Sequence, residues 1–428
     1  MKILLIAYAS EPGAGSEYGV GWMVPTTMAA EFPQMEIYVL TRSRCREKIE
    51  NALGELGMQN LRFLFYDVPK WMTYPNEMKS RWGEQINYLV WQILSRRFVR
   101  RLHKEIRFDV VHHLTFNQYR TPSPGFWLED VPFVMGPVGG AEMISPVLWR
   151  DLEPHTLRKE RFRRRGTDLL IFGWMTRRKK NRKLILCSSR ENLQALKTYA
   201  SATCRVEEMA AIGYDEKDFT LNKQPKDNGK FSIVYAGKAL DWKGLHLFLK
   251  AADRAFDAEV RKRIQINLVG VRFEEEQRKV MAWVEETGLM EQISLVPFMP
   301  RNELLQLEST CHLQVYPAFR DSGSMSVLEG CALACPTICL DAGGQDIFDD
   351  NIVLKVSIGR DYEETVEHFA KQLRSAFANR DQLQEIDENA RRWVSQHLTW
   401  KSKVQRFVAY YRELTENTAS PSWGCSIN

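Results

Sequence analysis

Two lysines five residues apart, Lys238 and Lys243, sit just past an apolar run in the stretch Tyr235-Ala236-Gly237-Lys238-Ala239-Leu240-Asp241-Trp242-Lys243-Gly244. A diphosphate that departs from a sugar gains negative charge as the bond breaks, and a pair of fixed cations can absorb it. The plain alternative is two surface lysines in a loop. Further on, Tyr316-Pro317-Ala318-Phe319-Arg320-Asp321-Ser322-Gly323-Ser324-Met325-Ser326-Val327-Leu328-Glu329-Gly330 reads as strand, loop and helix. Ser322 or Ser324 can cap that helix, and its first backbone NH groups can meet a phosphate. Glu329 shares a helix face with Ser326 and can reach back toward a ribose, while Asp321 can accept from sugar hydroxyls. An ordinary capped crossover helix, with Glu329 in a salt bridge, is the competing reading.

Near the start, Gly13, Gly15 and Gly19 follow an apolar strand and open a helix. Glycines there let backbone NH groups approach a ligand at the positive end of the helix dipole. The spacing also approaches a dinucleotide fingerprint, but the next strand ends in Thr41-Arg42 rather than an acid.

Elements must position these groups, and the hydrophobic pattern supplies them. Apolar runs at 2–8, 35–41, 61–66, 109–113, 132–136 and 184–188 alternate with amphipathic stretches. A polar stretch at 215–230 interrupts, and the alternation restarts at 232–236, 264–269, 293–297, 313–316 and 337–340. Continuous apolar strands alternating with helices imply parallel sheets covered on both faces. The last hundred residues turn helical at 362–378, 382–396 and 399–414. The length, 428 residues, suits two or three domains.

Charge is unevenly placed. Between Arg158 and Lys183 lie twelve Lys or Arg and two acids, a local net of +10 in a chain of net +5. Trp174 and its apolar neighbours lie inside that run, and Arg96, Arg97, Arg100, Arg101 and Lys104 end a helix with Ile86, Leu89, Val90 and Ile93. Cations with an embedded aromatic suit an anionic membrane surface or acceptor; a solvated charge run is the alternative. No nucleic-acid module is present. Eight cysteines without a CxxC pair suggest a reducing, cytosolic compartment. Cys331, Cys335 and Cys339 read as buried small hydrophobes rather than metal ligands. The absence of an Asp-x-Asp triplet points to chemistry without a metal. Residues 2–8 read as a strand rather than a secretory signal, and no apolar run of about 18 residues spans a membrane. The aromatics Trp71, Tyr74, Trp82, Tyr88 and Trp91 form either an acceptor platform or core packing.

With these motifs in order, the chain resembles GT-B glycosyltransferases of the retaining family-4 type, as found in exopolysaccharide and lipopolysaccharide synthesis. Lys238 and Lys243 match that family's basic pair, and Asp321-(x7)-Glu329 its paired-acid signature. Asp341-Ala342-Gly343-Gly344 resembles its Gly-Gly loop, while His112-His113-Leu114-Thr115-Phe116 and Gly136-Pro137-Val138-Gly139-Gly140 are similar to first-domain loops. The resemblance implies two doubly wound Rossmann-like α/β domains facing a cleft, with a C-terminal helix crossing back to the first. The expected boundaries are 1–208, with a basic insert at 155–183, then 209–398, a helix at 399–415 and a tail at 416–428.

It implies catalytic roles for Lys238, Lys243, Asp321, Glu329 and His113. Donor contacts would come from Gly13, Gly15, Gly237, Ser324, Met325 and Glu329, and acceptor contacts from His112, Thr115 and Asn117. No cofactor or metal is expected, the donor being a nucleoside-diphosphate sugar. The acceptor would be a hydroxyl of a lipid-linked glycan at the inner membrane face, reached by a cytoplasmic, peripheral enzyme. Two rival functions share the fold: a nucleotide-sugar epimerase and a non-catalytic membrane-surface scaffold.

Overall fold

A computed structural model describes residues 1–74, 83–178, 181–215, 229–271, 273–296 and 298–416. Two units emerge. The first comprises the described residues of Met1–Ala141, Gly166–Gly213 and Trp400–Asn428; the second comprises those of Glu142–Arg165 and Tyr214–Thr399.

The first unit holds seven strands: β1 (Lys2–Ala7), β2 (Glu36–Thr41), β3 (Leu61–Phe65), β4 (Val110–Thr115), β5 (Phe133–Val138), β6 (Lys183–Cys187) and β7 (Cys204–Glu208). They pair in the order β3-β2-β1-β4-β5-β6-β7, every pair parallel. Side chains of β1 alternate between two cores. Leu4 and Ile6 pack with Tyr88 and Trp91 of helix Gly83–Ile106 and Phe172 of helix Thr167–Arg178. Ile3 and Leu5 pack with Val24 and Met28 of helix Ser16–Glu31 and Phe407 of helix Trp400–Glu416. Both faces of the sheet are thus covered, which is why its strands read as unbroken apolar runs. Tyr88 and Trp91 belong to the core; Trp71 is exposed; Trp82 lies outside the described residues.

The second unit holds β8 (Phe231–Ala236), β9 (Ile264–Val269), β10 (Ile293–Val296), β11 (Leu313–Tyr316), β12 (Thr337–Leu340) and β13 (Leu354–Val356). Their order is β10-β9-β8-β11-β12-β13, again all parallel. One face packs against helices Leu245–Ala255 and Tyr362–Ala378.

Two expectations need adjusting. The basic insert does not stay together: residues up to Arg165 fold with the second unit, and the chain rejoins the first at Gly166. The reason is apolar. Ile144, Leu148 and Leu152 lie fully or almost fully buried in the second unit's core, each worth about 1.5–3 kcal/mol when removed from water. The boundaries also move, to 213/214 and 399/400. The last helix does pack within the first unit, where buried Lys403 donates to the carbonyls of Ala210 and Ile212. Most of the polar stretch 215–230 and most of the tail lie outside the described residues.

Candidate active site

In each sheet the strand order reverses between two central strands, β1 and β4 in the first, β8 and β11 in the second. Loops at the C-terminal ends of such strands form the binding crevice of doubly wound sheets. The motifs singled out from sequence lie on these loops.

In the second unit three loops converge. Gly244, after Lys243, has φ +71°, and a Cβ there would strike the carbonyl of Pro317. That close approach brings the loop after β8 against the loop after β11, where Phe319 N donates to Trp242 O at 2.9 Å. The third loop follows β12. Gly344 N donates to Asp321 O at 2.5 Å, and a Cβ on Gly343 or Gly344 would come within 3.0 Å of Asp321 or Ser322 backbone. Gln345, fully buried, ties this loop back by donating to Ala318 O at 3.0 Å.

At the convergence Lys243 Nζ donates to Tyr316 Oη at 3.0 Å and to Asp321, and Tyr316 Oη also donates to Asp321. Asp321 Oδ1 accepts from Gly323 N at 3.2 Å. Burial alone would push the Asp321 carboxyl up. The Lys243 charge and the hydrogen bonds from Lys243, Tyr316 and Gly323 outweigh it and hold the group below the usual carboxylate range. An ionised acid and an ammonium therefore face each other, with the Tyr316 phenol between them. Burial and the Asp321 charge hold that phenol well above its ordinary range, so it stays a donor.

Ser324 caps helix Met325–Ala332 with φ +42°, a left-handed conformation uncommon away from glycine. Its hydroxyl is buried against Gln345 at 3.3 Å. Glu329 lies one turn into this helix, 6% exposed, and accepts from Arg301 Nε at 2.8 Å. It is therefore salt-bridged, as the competing reading expected, with its carboxylate oriented by that bond. Behind it Glu308 is fully buried and accepts from Gln314 Nε2 at 3.1 Å; burial and then the Glu329 charge raise its carboxyl well above the ordinary range. Lys238 projects from the same loop as Lys243 with an exposed side chain, and Gly237 continues the sheet by donating to Val269 O at 3.0 Å.

In the first unit, Gly13 and Gly15 occupy an exposed loop after β1, with open space where a Cβ would stand. The close-packed glycines there are Gly19 and Gly21, whose Cβ atoms would collide with backbone of Ala14 and Ala9. The loop after β4 lies alongside, since Phe116 N donates to Glu17 Oε2 at 3.0 Å.

The histidines depart from expectation. His112 and His113 are both fully buried. His112 Nε2 donates to Gly136 O at 2.9 Å, so its Nδ1 is the acceptor for Tyr411 Oη at 2.5 Å. Both nitrogens are thus used inside the unit, which corrects the acceptor role expected of His112. His113 Nε2 donates to Thr115 O at 2.9 Å, and burial holds its pKa down to about 4. A neutral imidazole with no exposed atom does not touch a substrate, which corrects the catalytic role expected of His113. Thr115 likewise spends its hydroxyl on Ala9, accepting from N at 3.2 Å and donating to O at 3.3 Å. Asn117 spends its amide on Leu114 O at 2.7 Å.

Tyr316, Arg301, Arg320 and Glu308 join the site without having been singled out. Tyr316 was readable only as a strand residue, and the others depend on contacts between separate elements. Among the described residues no group of three or more His, Cys, Asp or Glu could hold a metal ion.

This geometry sits in a segment with a known counterpart: residues 216–393 match the family model for glycosyl transferases group 1. The match covers less than half of the chain, and the fold of the whole is GT-B. A glycosyltransferase from Rickettsia africae ESF-5 superposes with TM-score 0.63 at 13% identity, over 97% of this chain and 99% of that one. Sucrose-phosphate synthase from Thermosynechococcus elongatus gives 0.64 at 14%, over 97% and 99%. Anabaena HepE, in complex with UDP and glucose, gives 0.59 at 14%, over 96% and 100%. No curated protein sequence matches the chain. No helix among the described residues is long and apolar enough to cross a membrane.

Proposed function

We propose that this GT-B glycosyltransferase moves a hexose from a nucleoside-diphosphate sugar to a hydroxyl of a lipid-linked glycan, with retention of anomeric configuration and without a metal. The observation that carries the donor reading is the Lys243–Tyr316–Asp321 cluster beside helix Met325–Ala332, at the switch point of the second sheet. Lys243 and exposed Lys238 would neutralise the diphosphate, and the backbone NH groups of Ser324 and Met325 would meet its oxygens or the sugar. Glu329, held by Arg301, would accept from the ribose hydroxyls, and Asp321 from the hexose. The likeness to a structure holding UDP and glucose supports a nucleoside-diphosphate donor.

In the reaction the bond from the anomeric carbon to phosphate oxygen breaks and a bond to the acceptor oxygen forms on the same face. The departing phosphate takes the acceptor's proton. The acceptor is placed at an anionic membrane surface, a reading supported by the exposed side of helix Gly83–Ile106.

Calorimetric titration with UDP and a panel of nucleotide sugars tests the donor reading. The natural chain is expected to bind at least one nucleotide, and Glu329→Ala to bind it about tenfold or more weakly, the cost of a lost charged hydrogen bond. Absence of binding by the natural chain sinks the enzymatic reading. Isomerised nucleotide sugar formed from donor alone favours the epimerase instead.

A further inference from the structure

Residues 142–165 leave the first unit after β5 and return to it before β6, and in between they fold with the second unit. They touch the donor loops at two points. Glu160, fully buried on helix Pro154–Arg163, pairs through Oε1 with Arg320 and accepts from Ile144 N at Oε2, 3.2 Å. Arg163 adds a contact at 3.3 Å. Arg320 immediately precedes Asp321. The second point is Asp241 Oδ2, which accepts from Glu153 N at 2.8 Å; Asp241 lies two residues before Lys243. One segment thus anchors the chain next to each member of the Lys243–Asp321 pair. Its own hold on the unit is separate: Asp151 accepts from Tyr362 Oη at 2.7 Å, Arg150 pairs with Glu363 at 2.9 Å, and Ile144, Leu148 and Leu152 are core.

We infer that residues 142–165 form a strap that sets the geometry of the donor loops, with Glu160 a positioning residue acting through Arg320. This rests on the donor reading above and assigns the site a component from a distant part of the chain. A carboxylate this deeply buried is costly unless fully paired. Its partners here are one backbone NH of the strap, one strap arginine and one arginine of the loop bearing Asp321. Removing its charge leaves Arg320 uncompensated beside Asp321, and Asp321 then has two cations competing for it.

Hydrogen–deuterium exchange on the natural chain, Glu160→Gln, the double variant Glu160→Gln/Arg320→Gln, and Tyr362→Phe tests the inference. Glu160→Gln is expected to speed exchange in residues 317–324 about tenfold or more, the effect of a lost buried charge pair on local opening, with residues 362–378 unchanged. The double variant, which removes both charges, is expected to restore part of that protection. Tyr362→Phe loosens the strap's other attachment and leaves 317–324 protected. In steady-state transfer Glu160→Gln is expected to lower kcat by up to about 100-fold with little change in donor KM, as misplacement of a reacting group does. Unchanged exchange in 317–324 overturns the strap; equal loosening across the whole unit overturns it too, by making Glu160 a general stabiliser. Exchange without ligand is read independently of activity, so a chain that loosens as expected but binds no nucleotide refutes the donor reading and leaves the strap standing.

Discussion

Lys243 has two partners on the loop and strand that follow it far along the chain, and both compete for the same ammonium. In the absence of donor its charge is spent on Asp321. A diphosphate carries more negative charge than one carboxylate, so donor binding would draw the ammonium away and free Asp321 for sugar hydroxyls. Lys243→Ala removes the transition-state cation and leaves Asp321 with the Tyr316 hydroxyl and Gly323 N as its donors. Turnover is expected to fall at least about 100-fold. Wild-type turnover in a purified assay would refute the assignment. At this scale the sequence pattern placed Lys243, Asp321 and Ser324 on loops that follow strands and Glu329 on the next helix, where the structure has them, because residue type and spacing along single loops encode such positions. It was silent on Glu160, which lies 160 residues from Arg320, since nothing local marks which of many glutamates is the buried one. It misled for His112 and His113. Adjacent histidines at a strand end resemble catalytic groups, yet both point into packed faces of the sheet.

Strands and helices were more legible than their ends. Apolar runs marked eleven of the thirteen strands among the described residues, because burial on both faces leaves no room for polar alternation. The missed two explain themselves: β7 reads Cys-Arg-Val-Glu-Glu at an edge of the first sheet, and β13 is three residues long at an edge of the second. Edge strands meet solvent and carry a weaker apolar signal. The same element scale gives His112 its use. It joins β4 to the last helix through Tyr411, so the helix is held by a neutral imidazole. Burial holds His112 down to about 3 and His113 to about 4, against about 6.5 for the unfolded chain. Below pH 6.5 the unfolded state takes protons that the folded state refuses, so stability is full above that pH and is lost as pH falls toward 3. By pH 5 the loss is about 2 kcal/mol per histidine. Urea midpoints compared at pH 7 and pH 5 should show it, and His112→Gln should remove about half of the difference. An identical difference in the variant would place the titration elsewhere.

At the scale of the whole molecule the basic segment is divided between the two units. Its first half, to Arg165, folds with the second unit, where Arg158, Lys159, Arg161, Arg164 and Arg165 are exposed. A second set of cations on the first unit belongs to helix Gly83–Ile106. Ile86, Leu89 and Ile93 are 43%, 48% and 55% exposed. Arg97, Arg100 and Lys104, also exposed, continue the same three-and-four spacing. One ridge is therefore apolar along its first half and cationic along its second. Helix Thr167–Arg178, packed into the same core layer of the first unit, exposes Leu170 and Trp174 as well. An anionic bilayer would satisfy both halves, the apolar side chains entering the interface while the cations meet phosphates. The chain is expected to sediment with vesicles containing phosphatidylglycerol at low salt and to be released as salt shortens the Debye length. Each Arg or Lys changed to Gln among the three should weaken binding by about 1 kcal/mol. Leu89→Glu with Ile93→Glu should abolish binding that salt alone only weakens, because the apolar half contributes through area rather than charge. A chain that stays in the supernatant at low salt, or one whose binding ignores both sets of changes, would assign the ridge to some other contact.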